Sequence, residues 1–189
     1  MSSERPIIFS GDMVTAILAG RKTMTRRIVK PQPPDGGRVA LRSSGWVYVD
    51  CNGDALGPAY CPYAAPRLWV REAWRVNGNE HDYANATRDN VFYRADEPWN
   101  TNAGWKPSIH MPRWASRITL QITDVRVERV QDITDDDALA EGVDRTNSSI
   151  PGYATQRFQK LWDSINAARG YPWAANPVVW VIEFRKVES

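Results

Sequence analysis

A short basic segment is the part of the chain best suited to chemistry. Residues 21–30 hold five basic side chains and no acidic one, although the whole chain is nearly balanced, with 24 Lys plus Arg against 22 Asp plus Glu. Thr25 follows Lys22 by three residues, a spacing at which a tight turn brings an amine to a hydroxyl. A lysine activates a hydroxyl nucleophile only when it is neutral, which burial or cationic neighbours favour. The segment therefore predicts either a nucleophilic site or a solvent-exposed basic turn.

An acidic segment, residues 134–141, is the natural counterpart of the basic one. Three aspartates at 135–137 follow Thr134, as expected for first-turn carboxylates of a helix that Thr134 caps. Glu141 comes at the other end of this helix, where the dipole disfavours a carboxylate. Glu141 is therefore either a partner for a cation, with Lys22 as a candidate, or an ordinary exposed glutamate.

Aromatic and basic residues are mixed with prolines in residues 105–114. Trp105, His110 and Trp114 lie in this segment of a chain with nine tryptophans, and Trp69 lies on a predicted strand. Such a mixture suits stacking on a nucleic-acid base beside a phosphate contact. The alternative is that the tryptophans cover the mouth of a barrel and that His110 is a structural hydrogen-bonding residue.

Glu72 is the one acidic residue on the apolar face of a predicted strand at 67–75. Leu68, Val70 and Trp74 share its face by period-two alternation, whereas Arg71 points the other way. Burial of a lone carboxylate is costly. A basic residue distant in sequence is therefore expected beside Glu72, unless the carboxylate contacts a substrate.

Periodicity and turn residues predict an α+β fold. We expect a small mixed sheet that forms a barrel, together with about three helices. The predicted helices are 11–19, 134–141 and 155–168. The predicted strands are 23–29, 38–42, 46–50, 67–75, 91–94, 116–130 with a bulge near 123–124, and 178–187. We expect one domain over 1–189, with loop insertions at about 31–66 and 76–112.

Composition excludes several classes of function. The net charge of +2 gives no global field that indicates a polyanionic or membrane partner. Cys51, Cys61, His81 and His110 have no recognised zinc-ligand spacing, so we expect no metal and no cofactor. The chain shows neither an apolar run of membrane-spanning length nor a signal peptide, which predicts a cytoplasmic protein without a membrane partner. The sequence leaves the oligomeric state open.

Residues 18–27, Leu-Ala-Gly-Arg-Lys-Thr-Met-Thr-Arg-Arg, resemble the Gly-x-Lys-x-x-x-x-Arg signature of ASCH-domain proteins, which have a PUA-like barrel fold. The likeness extends to residues 68–72, 118–142 and 180–184. The layout is most similar to the larger ASCH-like proteins of phages and prophages. Those proteins typically have Gly-Asp before the segment at 68–72, whereas this chain has Ala65-Pro66-Arg67, a change of turn and charge beside the expected pocket.

The resemblance implies a function. Small bacterial members of the ASCH family remove the acetyl group from N4-acetylcytidine with a lysine, a threonine and a glutamate, and these roles fall on Lys22, Thr25 and Glu141. The first expectation is therefore an amide hydrolase acting on an N4-acylated cytosine nucleoside or a related modified base. The candidate substrate-binding residues are Arg21, Arg26, Arg27, Trp69, Glu72, Trp105, His110 and Trp114.

The family also includes proteins regarded as RNA-binding modules, and ribonuclease activity has been attributed to it. A non-catalytic module that binds RNA, single-stranded DNA or a modified base is therefore the second expectation. In that case the basic segment contacts phosphate and the tryptophans stack on bases. A ribonuclease is the third.

Overall fold

The structure is a computed structural model that describes residues 4–34, 36–76, 87–101, 104–144 and 150–187. The chain divides into two compact units. The first unit comprises Met1–Lys22, Ala65–Ile122 and Phe184–Ser189, and the second unit comprises Thr23–Ala64 and Thr123–Glu183. The expectation of one domain over 1–189 with two loop insertions stays a prediction.

Three helices and ten strands make up the described secondary structure. The helices are α1 (Gly11–Leu18), α2 (Asp135–Ala140) and α3 (Tyr153–Asn166). The strands are β1 (Glu4–Ile8), β2 (Met24–Ile28), β3 (Arg38–Arg42), β4 (Gly45–Val49), β5 (Ala55–Pro58), β6 (Arg67–Arg71), β7 (Trp74–Val76), β8 (Val91–Tyr93), β9 (Thr119–Arg129) and β10 (Val178–Lys186). The prediction of an α+β fold with three helices is confirmed.

The largest sheet has the strand order β1-β6-β9-β10-β2. β1 is parallel to β6, β6 is antiparallel to β9, and β10 is antiparallel to β2. This order has two ends, β1 and β2, so among the described strands the sheet is open and differs in that respect from a closed barrel. The second sheet, β3-β4-β5, contains the two strands predicted at 38–42 and 46–50 and a third strand that the sequence did not indicate.

The first unit has its own apolar core. One face of α1 buries Val14, Ala16 and Ile17, and Gly20 ends the helix turn with a φ of 72°, the left-handed geometry that glycine adopts without strain. A separate cluster of buried side chains surrounds β7 and β8. Its members are Trp74, Val76, Val91, Met111 and Ala115.

The second unit builds its core on α2 and α3. Phe158 and Trp162, four residues apart on α3, pack with Met24 of β2 and with Val179 and Val181 of β10. Such spacing places side chains on one face of a helix. Two of the nine tryptophans are buried in this unit, Trp162 in this core and Trp180 on the opposite face of β10.

Two elements depart from the sequence prediction. The strand expected at 67–75 is divided into β6 and β7, because the chain leaves the sheet at Glu72 and Ala73. The N-terminal strand β1 was not predicted, since its sequence Glu-Arg-Pro-Ile-Ile contains a proline and two charged residues. A proline is accepted on an edge strand, and β1 is at an end of the sheet order.

Within the described ranges, no helix is both long and apolar enough to cross a membrane. The same ranges contain no group of three or more His, Cys, Asp or Glu side chains placed to hold a metal ion. His81 lies outside the described residues. Cys51 and Cys61 are not joined in a disulfide bond.

Candidate functional site

Strand β2 presents different residues on its two faces. Side chains alternate along a strand, so Met24 and Arg26 share one face, and Thr25 and Arg27 share the other. Met24 belongs to the apolar core of the second unit. Thr25 is buried at 4% exposure. The side chains of Thr25 and Arg26 therefore project on opposite faces of β2.

Arg26 is enclosed by carboxylates of the second unit. Its side chain has no exposed surface, and its Nη2 lies 2.7 Å from Asp137 Oδ2 and 3.0 Å from Glu128 Oε2. Its Nη1 lies 3.7 Å from Glu141 Oε1 and 3.2 Å from the Met24 sulfur. The predicted role of Arg26 as a substrate contact does not fit this placement, since the guanidinium joins β2 to α2 and β9.

Glu141 is the C-cap residue of α2 and is buried at 4% exposure. Its backbone N–H donates to the Asp137 carbonyl at 2.8 Å, and the Thr23 N–H donates to the Ala140 carbonyl at 2.8 Å. The second of these bonds fixes the end of α2 to the start of β2. The other end of the helix is capped as predicted, because Thr134 Oγ1 accepts from the Asp137 N–H at 3.1 Å.

Lys22 lies in the first unit and is buried at 2% exposure. Its backbone N–H donates to the Ala16 carbonyl at 3.1 Å, which places the residue directly after α1. Its Nζ lies 5.5 Å from the centroid of the Phe9 ring, within the range of a cation–π contact. Arg21, its neighbour, is exposed.

Glu72 has the distant basic partner that the sequence required. Arg117 donates from Nε to Glu72 Oε1 at 2.9 Å and from Nη2 to Glu72 Oε2 at 3.0 Å, a bidentate pair. Arg117 Nη1 also donates to Asp96 Oδ2 at 2.7 Å, and the guanidinium lies 3.9 Å from the Tyr93 ring centroid. These contacts account for Glu72 within the first unit without a substrate.

Burial is the largest influence on ionisation in this pair. Burial raises the pKa of the Glu72 carboxyl above its usual value, and the hydrogen bonds from Arg117 offset only part of that rise. For Arg117, burial lowers the pKa of the guanidinium, but the hydrogen bonds that Arg117 donates to both carboxylates outweigh burial and raise this pKa. Arg117 is therefore the member of the pair that stays charged at every ordinary pH.

The predicted stacking residues all lie in the first unit, in different environments. Trp69 is buried at 8% exposure, with the guanidinium groups of Arg71 and Arg113 at 4.8 and 5.9 Å from its ring centroid. The Trp105 Nε1–H donates to the Asn100 carbonyl at 2.5 Å. The Arg75 guanidinium lies 5.2 Å from the Trp105 ring centroid, so protein contacts occupy the surroundings of both Trp69 and Trp105.

Trp114 and His110 are the accessible members of the predicted set. Trp114 is 39% exposed and meets Trp74 edge-on, with ring centroids 6.0 Å apart. His110 is exposed on a short 3₁₀ turn, and its backbone N–H donates to the Pro107 carbonyl at 3.0 Å. An aromatic ring and an imidazole are thus presented to solvent from the segment that the sequence singled out.

Sequence reasoning missed two groups of residues that shape these surroundings. Arg117 and Asp96 complete the Glu72 cluster, and the only signal for Arg117 was the need for a base beside Glu72. Trp46 was assigned to the loop insertion at about 31–66, yet its ring meets the buried Trp180 of β10 edge-on, with centroids 5.0 Å apart. The one indication of this contact was the presence of a tryptophan on the partly buried strand β4.

Comparisons with known proteins give structural neighbours only. No protein-family model and no curated protein sequence matches this chain. Protein EF3133 from Enterococcus faecalis V583, of family model DUF984, is 10% identical, with a TM-score of 0.46 over 99% of this chain and 81% of that one. An ASCH domain from Lactobacillus crispatus JV V101 is 11% identical, with a TM-score of 0.44 over 97% of this chain and 79% of that one. The structural neighbours of the chain thus include an ASCH domain.

Proposed function

We propose that the protein is an amide hydrolase that acts on an N4-acylated cytosine nucleoside or a related modified base. The observation that supports it is the burial of all three residues of the motif: Lys22 is 2%, Thr25 4% and Glu141 4% exposed. Lysine and glutamate are rarely this buried in a protein unless they are paired or functional. The alternative of a solvent-exposed basic turn does not account for a buried Lys22.

The proposed reaction uses Thr25 as the nucleophile. Neutral Lys22 accepts the hydroxyl proton of Thr25 as the oxygen attacks the acyl carbon, and Glu141 orients the lysine and assists return of the proton. Arg27 or a backbone amide stabilises the oxyanion. The proton passes to the exocyclic nitrogen, the C–N bond breaks, and the nucleoside leaves; water then cleaves the threonyl ester to release the carboxylic acid.

Burial supports these roles through elementary electrostatics. A low-dielectric environment disfavours the charged form of an amine, which is the condition for a lysine to accept a proton. The same environment strengthens the field of a nearby carboxylate on a reacting group. Neither condition holds for a lysine in a solvated charge run, so burial is what separates the catalytic hypothesis from that alternative.

The test is hydrolysis of N4-acetylcytidine by the purified protein, with cytidine and acetate separated by chromatography. We expect turnover by the wild type and a loss of at least about 100-fold in Lys22→Ala and Thr25→Ala, the lower end of what general-base catalysis contributes. Thr25→Ser should retain part of the activity, since it keeps the hydroxyl. No product from the folded wild type, or equal turnover by Thr25→Ala, would refute the proposal.

A nucleic-acid-binding module is the second candidate, and the exposed aromatic side chains of the first unit favour it. Trp99 is 77% and Trp114 39% exposed, and Arg88 Nε donates to the Trp114 carbonyl at 3.0 Å. Exposed rings beside cations suit base stacking. Binding of single-stranded RNA or DNA should weaken steeply with salt, and an affinity that is independent of salt or undetectable would contradict it.

A further inference from the structure

The Thr25 face of β2 is lined by residues of the second unit that the motif does not include. In the antiparallel register, Thr25 lies opposite Ile182 and Arg27 lies opposite Trp180 of β10. Residues directly opposite each other project on the same face of a sheet. Ile182 is fully buried and Trp180 is 1% exposed. Thr25 therefore sits in a layer of buried apolar side chains, with the Arg27 cation next along the same face.

The small sheet β3-β4-β5 adds a second aromatic ring to this layer. Trp46 of β4 is half-buried and meets Trp180 edge-on, with centroids 5.0 Å apart and an interplanar angle of 82°. Its backbone carbonyl accepts from the Ala59 N–H at 2.8 Å, which anchors the strand where the ring projects. An edge-on contact leaves at least one face of the Trp46 ring outside that pair.

Tyr63 brings a hydroxyl to the same neighbourhood. It is half-buried, and burial raises the pKa of its phenol, while the positive charge of Arg27 acts in the opposite direction. Tyr63 follows Ala59, the residue hydrogen-bonded to Trp46, by four positions. Arg27 is also only partly buried. Trp46, Arg27 and Tyr63 are thus all half-exposed, and Trp46 and Arg27 both adjoin the buried Trp180.

We propose that Trp46, Arg27 and Tyr63 form the base-recognition surface of this protein, with Trp46 stacking on a planar, uncharged pyrimidine. The guanidinium and the phenol donate to the carbonyl oxygen and ring nitrogen on the polar edge of the base. This inference rests on the proposed function, because Thr25 on the same face supplies the nucleophile. It assigns recognition to the insertion at 31–66, in place of the predicted tryptophans at 69, 105 and 114.

The chemistry of these groups selects the ligand class. A neutral aromatic base gains from stacking on tryptophan and needs hydrogen-bond donors for its acceptors, which an arginine and a tyrosine provide. One cation among these groups is too little to hold a polyphosphate chain. A single nucleoside, or one unstacked base of an RNA, is therefore the ligand that this surface fits.

The experiment measures binding and turnover separately in Trp46→Leu and Trp46→Phe. Cytidine, the product, is titrated calorimetrically because it binds without reacting, and D-ribose is titrated to isolate the contribution of the base. We expect Trp46→Leu to weaken cytidine binding about 5- to 100-fold, the range of one stacked base. Trp46→Phe should keep most of the affinity, and the KM for N4-acetylcytidine should rise more than kcat falls.

The matched controls are Leu56→Ala and Ile150→Ala, which remove exposed apolar side chains of the second unit that have no proposed role in binding. Both should bind cytidine like the wild type. Circular dichroism and the denaturant midpoint show whether each variant is folded. If Trp46→Leu is not folded, the cytidine affinities of Trp46→Phe and Tyr63→Phe are compared with that of the wild type, and the loss of the phenol in Tyr63→Phe should weaken binding.

The outcomes separate this inference from the proposed function. Hydrolysis by the wild type with unchanged KM and cytidine affinity in folded Trp46→Leu overturns the inference and leaves the hydrolase intact. Cytidine binding that depends on Trp46 without any hydrolysis refutes the hydrolase and supports the surface. A wild type that binds cytidine no better than ribose, or binding weakened as much by Leu56→Ala or Ile150→Ala, also overturns the inference.

Discussion

Replacement of Arg26 by methionine is the sharpest test of how the second unit is held together. The guanidinium is completely enclosed, and its loss leaves the carboxylates of Asp137, Glu128 and Glu141 without this shared cation. Removing one partner of a buried ion pair costs about 3–5 kcal/mol, because the remaining charge stays desolvated. Asp137 and Glu128 are each 22% exposed, so solvent screens part of that cost. We therefore expect a loss of about 3 kcal/mol.

The matched control is Arg126→Met, since Arg126 also donates to Glu128, at 2.5 Å, but is 33% exposed. Exposed ion pairs are worth about 0–1 kcal/mol. Urea unfolding at pH 7, followed by tryptophan fluorescence, should thus show a much larger fall in unfolding free energy for Arg26→Met than for Arg126→Met. Equal effects, or a loss below about 1 kcal/mol for Arg26→Met, would refute the reasoning.

Two further predictions concern single positions. The Asp135 carboxylate accepts from the backbone N–H groups of Gly152 and Thr155 at 2.6 and 2.9 Å, and these bonds lower the pKa of the carboxyl. A carboxyl with a lowered folded-state pKa contributes stability that is present above the unfolded pKa and lost as pH falls through the folded value. Asp135→Asn should therefore flatten the acid limb of a stability–pH curve. An unchanged acid limb would contradict this prediction. Gly20→Ala should destabilise by about 1 kcal/mol, because φ is +72° although the added Cβ meets nothing within 4 Å. Gly11→Ala is its control, since its Cβ makes only a 3.8 Å contact; equal melting temperatures for the two variants would contradict the prediction.

The α3 helix shows why much of the fold could be predicted from sequence. Phe158 and Trp162 repeat at helical spacing and are both buried as that spacing requires. Thr134 likewise caps the start of α2, and Gly20 follows the end of α1. Both roles depend on local backbone geometry and on few neighbouring residues. Ser10 is the N-cap residue of α1, but its side chain makes no capping hydrogen bond.

Features that depend on distant residues could not be predicted. β1 pairs with a strand 63 positions later, Glu4 with Arg67, and nothing in Glu-Arg-Pro-Ile-Ile announces a parallel partner. Glu72 was correctly expected to need a base, but only the tertiary structure identifies Arg117. The packing of Trp46 was missed for the same reason, because its partner Trp180 lies on β10, the last strand in the sequence.

The pairing of β1 with β6 has a consequence for how the chain folds. Because the two strands are parallel, residues 9–66 must close into a loop before the first hydrogen bond between them forms. Loop closure of this kind costs chain entropy before any contact offsets it, which slows folding. On the ribosome, the N-terminal strand emerges well before its partner and has to wait for it. Mutations in β1 should therefore speed unfolding more than they slow refolding, the behaviour of an element that joins the sheet after the rate-limiting step.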